Sequence, residues 1–256
     1  MTTIGFIGTG AIAEAFINGL MASGKAPTIR VSPRSAAVAD RLAARHPNVT
    51  KAPSNAAVAL GADIVFLAMG PTQVEEALEG VSFRAGQIVC SFVTGLSLQD
   101  LADIAPEATI CRVLPLPMVA FNKGPLIHLP QVPEIVELLR DMGELILPES
   151  EAELVALGGI SGFMSTFFEL QHALVGSLER KDVQTADARP YVCSMFAALA
   201  ETSLRSPVSL EKLADEHETR GGLNERTRSG LKKNGWFDEP LAVIEEVARL
   251  RRSGLG

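Results

Sequence analysis

A glycine-rich turn directly after the first apolar run constrains the fold of this chain more than any other feature. The run Thr3–Ile7 has the pattern of a short strand, and a helical pattern follows over Ala11–Ala22. The sequence Gly8-Thr9-Gly10-Ala11-Ile12-Ala13 joins the two. A G-x-G-x-x-A motif that follows a strand and opens a helix is typical of a dinucleotide-binding βαβ unit.

The small residues of this turn each have a physical role in such a unit. Gly8 permits the tight turn, Gly10 lets the backbone approach a pyrophosphate, and Ala13 lets the helix pack close to the strand. Ala11 and Ile12 lie in the first helical turn, where free N–H groups and the positive end of the helix dipole face the phosphates. We therefore expect a dinucleotide at this turn, and a glycine turn that binds nothing is the alternative.

The end of the second predicted strand, Thr28–Val31, indicates which dinucleotide binds. Proteins that bind NAD usually place an acidic residue there, which accepts a hydrogen bond from the ribose 2′-hydroxyl. This chain has no acid at that place, but it has Ser32, Arg34 and Ser35. These side chains can hydrogen-bond a 2′-phosphate, and Arg34 can neutralise it. The sequence favours NADP(H) over NAD(H), with a solvated surface arginine as the alternative for Arg34.

The bulk composition argues against several classes of protein. The chain has 256 residues, of which 47% are hydrophobic and 21% charged, as in globular proteins of one or two domains. A net charge of −7 argues against general nucleic-acid binding. The chain lacks a signal-peptide pattern and an apolar run long enough to span a membrane. Its three cysteines, Cys90, Cys111 and Cys193, form no C-x-x-C pair, so we expect buried free thiols and a cytoplasmic protein.

Apolar runs alternate with helical patterns in the first half, which predicts an α/β domain of the Rossmann type with a parallel sheet over residues 1–148. Predicted strands cover residues 3–7, 28–31, 63–68, 87–92, 109–113, 126–129 and 144–147, and prolines 115 and 117 are expected to end regular structure. Predicted helices cover residues 11–22, 36–45, 98–104 and 134–142, and a further helix starts at residue 73. Ser35 is the expected N-cap of the second helix.

The remaining residues, 149–256, are predicted to form an all-helical domain. Helices are expected over residues 150–157, 163–178, 187–204, 210–218, 224–233 and 240–251, with a glycine-rich break at 158–162. The helix over 163–178 is apolar around much of its circumference, which indicates burial in a core or against another subunit. We favour a subunit interface, because the helical half has little core of its own.

Five segments identify a family resemblance. IGFIGTGAIAEAFINGL (4–20), VSPRS (31–35), ADIVFLAMGP (62–71), SFVTGLSLQDL (91–101) and RVLPLPMV (112–119) occur in the order of the Rossmann half of pyrroline-5-carboxylate reductases. The second half resembles the helical part of that family and contains a glycine pair at Gly221-Gly222. The resemblance implies an enzyme that reduces a cyclic imine carboxylate to proline with NADPH, and helical domains that join two subunits into a dimer or larger homo-oligomer.

The resemblance also implies roles for individual residues. The implied cofactor-binding residues are Gly8, Gly10, Ala13, Ser32, Arg34, Asn55, Ala68, Met69 and Pro71. Asn55 corresponds to a position near the adenosine end, where a helix N-cap is the alternative role. The segment from Ala68 to Pro71 corresponds to the turn beside the nicotinamide.

The substrate end departs from the family pattern. The family sequence S-P-G-G-T-T, which holds the substrate carboxylate, is replaced by Thr219-Arg220-Gly221-Gly222-Leu223-Asn224. A Gly-Gly pair before a helix still presents N–H groups to an anion, and Arg220 can add a bidentate contact. Leu223 and Leu116, which replaces a family asparagine, predict a more apolar pocket. We therefore assign substrate binding to Arg220, Gly221, Gly222 and Leu223, with a carboxylate-bearing imine that differs from the family substrate as the hypothesis.

Hydride transfer to an iminium carbon needs placement more than a strong acid. The sequence accordingly offers no obvious His–Asp pair, and Ser161, Thr219 and Asn224 are the main candidate proton donors, with His172 and His217 as further ones. No pair of histidines has metal-ligand spacing, so no metal is expected.

Two alternatives remain open. One is another NADP oxidoreductase of the β-hydroxyacid dehydrogenase type, although the helix over 163–178 lacks the lysine of that class. The other is a non-catalytic protein that binds NADP(H).

Overall fold

The structure is a computed structural model that describes residues 2–252, without the side chains of residues 250–252. The chain forms two compact units, Met1–Gly158 and Gly159–Gly256. The predicted domain boundary at residue 148 falls before the last helix of the first unit. The end of the predicted second domain, residues 253–256, lies outside the described residues.

The first unit is built on one sheet of eight strands. They are Thr3–Ile7 (β1), Thr28–Val31 (β2), Val49–Lys51 (β3), Ile64–Leu67 (β4), Ile88–Ser91 (β5), Thr109–Pro115 (β6), Pro125–Leu129 (β7) and Glu144–Ile146 (β8). Their order is β3-β2-β1-β4-β5-β6-β7-β8, and every neighbouring pair is parallel except β6 and β7. The strand order reverses between β1 and β4, and doubly wound sheets bind ligands outside the carboxyl ends of strands at such a point. The predicted α/β fold is confirmed, with one antiparallel pair that the sequence did not indicate.

The helices of this unit are Ala11–Ala22 (α1), Ala36–Arg45 (α2), Asn55–Leu60 (α3), Val74–Leu78 (α4), Leu98–Ile104 (α5), Pro133–Leu139 (α6) and Glu151–Gly159 (α7). Two elements, β3 and α3, were not predicted, because three and six residues are too short to show a period. The prediction that Pro115 lies outside regular structure was wrong. Beyond Arg112 strand β6 pairs with β7 alone, and a proline is tolerated where one neighbour is absent.

A cluster of four phenylalanines fixes α1 against the sheet. Phe6 and Phe66 lie on neighbouring strands with ring centroids 5.1 Å apart, and Phe16 of α1 lies 4.9 Å from Phe92. Phe6, Phe16 and Phe66 are fully buried. Burying an aromatic ring stabilises a fold by roughly 1.5–3 kcal/mol. The cluster therefore holds the amino terminus of α1 firmly at the carboxyl ends of β1 and β4.

The buried histidine His128 joins β7 to β6 and to the start of α6. Its Nδ1–H donates to the carbonyl of Arg112, and its Nε2 accepts from the N–H of Val132, each at 3.0 Å. These two bonds require the neutral ring, because a protonated Nε2 cannot accept. Burial lowers the pKa of His128 below its usual range. The two backbone hydrogen bonds act in the opposite direction, but their effect on the pKa is smaller.

This arrangement predicts that acid destabilises the protein through His128. An unfolded histidine titrates near pH 6.5, so below that pH the unfolded chain binds a proton that the folded chain excludes. Stability from this group is complete above about pH 6.5 and is lost, by at most about 1.4 kcal/mol per pH unit, as the pH falls toward the lowered pKa. Urea unfolding at pH 7.5 and 5.5 should show a smaller acid loss in His128→Gln than in the wild type. The exposed His217→Gln is the control, and an equal acid loss in all three proteins would contradict the prediction.

The two central strand cysteines are buried as predicted. Cys90 of β5 and Cys111 of β6 face each other in register, and burial raises the pKa of Cys90 well above its usual value. Cys193 differs from the prediction, because it is only partly buried in the isolated chain.

The second unit contains the helices Met164–Glu179 (α8), Thr185–Arg205 (α9), Leu210–Glu216 (α10), Leu223–Lys233 (α11) and Glu239–Arg252 (α12). The expected glycine-rich break is absent, because α7 runs through Gly159 and a 3-10 helix over Ile160–Phe163 leads directly into α8. The continuous run Glu151–Glu179 is long and apolar enough to cross a membrane by length and composition alone, which is weak support for a span. No residue of α8 is buried.

Candidate functional site

A groove of about 180 Å³ lies at the carboxyl ends of β1, β2 and β4, where the fold predicts a ligand. Its lining residues are Gly8, Thr9, Gly10, Ser32, Arg34, Ser35, Asn55, Ala68, Met69, Gly70, Gln73 and Ala77. Seven of the predicted cofactor-binding side chains or glycines therefore lie together, and Asn55 joins them from α3. Thr9, Gly70, Gln73 and Ala77 were not predicted. The first three lie within two residues of a predicted residue, whereas Ala77 lies six residues after Pro71.

The two glycines of the turn meet different surroundings. Gly8 has a φ of +93°, and a Cβ there would lie 2.6 Å from both the carbonyl carbon and the oxygen of Ala68. Gly10 is extended backbone that caps α1, and a Cβ there would meet no atom within 4 Å. A glycine is therefore required at position 8 for the turn to fold. The space beside Gly10, in contrast, is open and can accept a ligand. Ala13 is fully buried against the sheet, as its predicted packing role requires.

A buried hydroxyl network ties the turn to β2. The N–H of Gly8 donates to Ser32 Oγ at 3.0 Å, and the Thr9 hydroxyl donates to the Ser32 carbonyl at 3.0 Å. The Ser32 and Thr9 hydroxyl oxygens lie 2.9 Å apart. The two hydroxyls therefore share a hydrogen bond in which either oxygen can be the donor. Ser32, which was predicted to bond a 2′-phosphate, also joins the end of β2 to the glycine turn.

The rim beyond β2 carries the predicted cation. Arg34 is exposed, and its Nη1 lies 3.0 Å from Oε2 of Glu76 on α4. Ser35 occupies the N-cap position of α2 as predicted, but its side chain makes no capping hydrogen bond. A phosphate at this rim can therefore reach both side chains once Arg34 leaves Glu76.

The opposite rim is formed by α3 and the segment after β4. Asn55 is the first residue of α3, and the N-cap is Ser54, whose hydroxyl accepts from the N–H of Ala57 at 3.1 Å. The Asn55 amide instead donates to the carbonyl of Ala77 at 2.9 Å and so joins α3 to α4. Asn55 consequently shapes the groove and is not the helix cap that was the alternative.

Four predicted cofactor residues do not line this groove, and one of them is the buried Ala13. Ala11 and Ile12 lie in the first turn of α1, where their backbone contributes to the helix terminus. Pro71 begins a 3-10 helix and lines a separate cavity of about 590 Å³ with Glu75, on the other side of α4. Pro71 thus shapes the turn without facing the groove.

The groove has the features that a dinucleotide phosphate requires. An open approach beside Gly10 meets the amino terminus of a twelve-residue helix, whose N–H groups and dipole attract an anion. Among the described residues that line the groove, Arg34 has the only charged side chain. The donors and the single cation fit a ligand with phosphates at two separate points.

The predicted substrate loop lies in the second unit, between α10 and α11. Gly221 has a φ of +72°, and the Gly222 N–H donates to the Thr219 carbonyl at 2.7 Å, which closes a tight turn. The Gly221 N–H donates to the carboxylate of Glu225. Arg220 and Leu223 are exposed.

The predicted proton donors are placed differently from one another. The Asn224 amide donates to the His217 carbonyl at 2.8 Å, so this side chain supports the loop. The Nδ1–H of His217 donates to the Leu213 carbonyl at 2.7 Å. Thr219 and His172 are exposed, and Ser161 lies in the 3-10 helix before α8. Residues 2–252 contain no group of three or more His, Cys, Asp or Glu side chains arranged to hold a metal ion.

Comparison with known proteins identifies relatives of the whole chain. A family model described as "NADP oxidoreductase coenzyme F420-dependent" matches residues 3–95. Pyrroline-5-carboxylate reductase of Escherichia coli is 29% identical, over 96% of this chain and 94% of its own length. The enzyme of Corynebacterium melassecola is 28% identical, over 78% of this chain and 79% of its own. The chain is therefore similar in sequence, over nearly its whole length, to pyrroline-5-carboxylate reductases.

Solved structures agree with this similarity at the level of the fold. Pyrroline carboxylate reductase of Plasmodium falciparum, solved with NADP bound, superimposes with a TM-score of 0.85, over 100% of this chain and 98% of its own, at 16% identity. The resemblance predicted from the five sequence segments is confirmed. The glycine turn lies within residues 3–95, the part of the chain that the family model matches.

Proposed function

We propose that the chain is an NADP(H)-dependent reductase that transfers hydride to the C=N bond of a small imine. The single observation that carries this proposal is the groove at the carboxyl ends of β1, β2 and β4, with a helix terminus for a pyrophosphate and Arg34 on its rim. Sequence similarity to pyrroline-5-carboxylate reductases and the NADP bound in the Plasmodium falciparum structure support it.

Different residues of the groove are proposed to bind different parts of the nucleotide. The backbone at Thr9 and Gly10 receives the pyrophosphate, because its N–H groups lie at the amino terminus of α1. Arg34 and Ser35 receive the 2′-phosphate. Ala68 and Met69 lie beside the nicotinamide, which supplies the hydride when the cofactor is bound.

The substrate is proposed to be a cyclic imine that carries a carboxylate, as in proline biosynthesis. Gly221, Gly222 and Arg220 are the proposed carboxylate ligands, and Leu223 supplies apolar contact. Because the Gly221 N–H already donates to Glu225, a substrate carboxylate must displace that side chain to use this amide. Ser161, Thr219 and Asn224 remain the proposed proton donors, and Asn224 would first have to leave the His217 carbonyl.

The helical unit is proposed to pair with a second copy of the chain in the cytoplasm. Several large apolar side chains on α8 and α9 are exposed in the isolated chain, namely Phe168, Leu174, Tyr191, Met195, Leu199 and Leu204. A monomer rarely leaves such a set exposed unless a partner covers it. Sedimentation of the purified protein at micromolar concentration should give at least twice the monomer mass.

The proposed activity can be tested by NADPH oxidation against cyclic imines with and without a carboxylate. We expect turnover of at least one imine, with pyrroline-5-carboxylate as the reference substrate and 3-hydroxy acids with NADP as the control for dehydrogenase activity. Oxidation of a 3-hydroxy acid would favour the dehydrogenase alternative. NADPH binding without turnover of any imine would contradict the enzymatic proposal.

The Arg34→Ala variant is expected to bind NADPH about 10- to 100-fold more weakly, because it loses a charge-assisted contact to the 2′-phosphate. Its affinity for NADH, which lacks that phosphate, should change less than about threefold. Calorimetric titration of both nucleotides measures the two effects. The control is Arg84→Ala, which removes the same charge beside Asp63, just before β4 at the amino edge of the sheet. Equal losses for both nucleotides in Arg34→Ala would contradict the assignment.

A further inference from the structure

The proposed 2′-phosphate site contains an anionic side chain as well as a cation. Glu76 reaches from α4 to Arg34, and its Oε2 lies 3.0 Å from Nη1 of the guanidinium. The contact joins the end of the β2 segment to the helix that follows β4, forty-two residues further along the chain. No acid stands directly after β2, so sequence position alone does not indicate this carboxylate.

The ion pair is positioned to be exchanged. The Arg34 side chain is 56% exposed and that of Glu76 is 67% exposed, so both can change rotamer without disturbing the core. Only one nitrogen of the guanidinium contacts the carboxylate, which leaves the other donors of Arg34 available. Arg34 lines the groove, whereas Glu76 lies next to the lining residue Ala77.

The two nucleotides place different demands on this pair. A 2′-phosphate is a dianion that needs the guanidinium, so it must share Arg34 with Glu76 or draw it away, and in both cases it lies near a like charge. A 2′-hydroxyl needs no cation, and it can donate a hydrogen bond to a carboxylate, as it does to the acidic residue of NAD-binding sites. Glu76 therefore opposes NADPH and leaves NADH unopposed.

We propose that Glu76 is a specificity-determining residue that weakens the preference of this chain for NADPH over NADH by competing for Arg34. The inference rests on the proposed binding of NADP(H) and deepens it. Glu76 acts on the nucleotide through Arg34, so it is a positioning residue for the guanidinium.

The decisive variant is Glu76→Gln, which retains the size of the side chain and removes its charge. An exposed ion pair and one nearby like charge together correspond to an effect of about 3- to 10-fold. We expect Glu76→Gln to bind NADPH tighter by that factor, and to bind NADH equally or up to about twofold more weakly. The ratio of the two dissociation constants is the readout, because a change in stability alone would shift both nucleotides together.

Glu75→Gln provides the matched control. Glu75 precedes Glu76 on the same helix, but it lines the separate cavity on the other side of α4. This variant has the same net charge as Glu76→Gln, so it reports the general effect of one lost negative charge. We expect it to change both affinities alike, by less than about twofold. Thermal unfolding without nucleotide confirms that both variants are folded.

A double-mutant cycle with Arg34→Ala tests the route of the effect. If Glu76 competes for the guanidinium, most of the gain from Glu76→Gln disappears when Arg34 is absent. The inference is overturned if Glu76→Gln leaves the NADPH-to-NADH ratio at the wild-type value, or if its full gain persists in the Arg34→Ala background. Failure of the wild-type protein to bind either nucleotide would instead refute the proposed function, so the two failures are distinguishable.

Discussion

Replacing Gly8 by alanine is expected to lower the free energy of unfolding by at least about 3 kcal/mol. The left-handed conformation alone costs an alanine roughly 1–2 kcal/mol. The added Cβ would in addition lie 2.6 Å from the carbonyl of Ala68, which is backbone of the neighbouring strand segment and can move little. Urea unfolding of the purified variant measures the loss, and NADPH affinity should fall more than about 100-fold because the turn is displaced.

The Gly10→Ala variant is expected to weaken NADPH binding with little effect on the stability of the protein. Its Cβ meets no protein atom within 4 Å and its backbone is extended, so stability should fall by less than about 1 kcal/mol through the weaker N-cap. The methyl group occupies the space that the pyrophosphate is proposed to approach, so NADPH should bind about 10- to 100-fold more weakly. A Gly10→Ala variant with wild-type affinity for NADPH would show that the phosphates lie elsewhere, and an unstable variant would contradict the expected small loss of stability.

Replacing Glu151 by alanine is expected to cost about 2–4 kcal/mol of stability. Glu151 Oε1 lies 2.7 Å from Nη1 of Arg112, whose side chain is 5% exposed, and it also accepts from the N–H of Leu98. Arg112 has no other ion pair among the described residues, and its Nε is buried without a hydrogen-bond partner. Removal of the carboxylate therefore leaves a buried cation uncompensated, which is the costly way to break such a pair.

Two further variants, Glu151→Gln and Glu137→Ala, are expected to lose less stability than Glu151→Ala and serve as comparisons. Glutamine retains an acceptor for Leu98 and Arg112, so its loss should be roughly half that of alanine. Glu137 pairs with Arg140 at the surface, where both side chains are more than 60% exposed, so its removal should cost less than about 0.5 kcal/mol. Chemical unfolding of the three variants gives the comparison. If Glu151→Ala loses no more free energy of unfolding than Glu137→Ala, the prediction is contradicted. That result would mean that the Arg112 guanidinium becomes hydrated when Glu151 is removed.

The sequence predicted the fold best where the local sequence pattern favours the same conformation as the tertiary structure. The bounds of β1, α1, β2, α2 and α5 agree residue for residue with the structure, because each combines a clear period with a glycine, serine or proline boundary. The segment β3–α3 shows the opposite case. Its strand is three residues long with two of them exposed, so the sheet, and not the segment itself, determines its conformation.

The candidate site was predictable for the residues that a turn motif specifies, and less so for side chains that meet across the fold. Gly8, Gly10 and Arg34 follow from position relative to two strands. The role of Ser32 could not be predicted, because it depends on Thr9 twenty-three residues earlier. Glu76 was missed for the same reason, since its partner lies on a different strand segment and no spacing rule connects them.

The glycine-rich segment before α8 shows a different limit. Gly158, Gly159 and Gly162 together predicted a break, yet the chain passes through them as a helix and then a 3-10 helix. Glycine weakens a helix by about 1 kcal/mol relative to alanine, which neighbouring turns can offset. The glycines therefore indicated a weak point in the helix, but they did not by themselves break it.

The hydrogen bonds of Thr9 and Ser32 fix the distance between the two proposed anion-binding points in the absence of a ligand. One point is the start of α1 and the other is the segment after β2, and three hydrogen bonds clamp their backbones together. The spacing between the two points is therefore preorganised. A nucleotide with phosphates at both points loses little binding free energy to the ordering of the protein. Cofactor analogues with a longer or shorter bridge between the pyrophosphate and the ribose phosphate should be rejected in proportion to the mismatch.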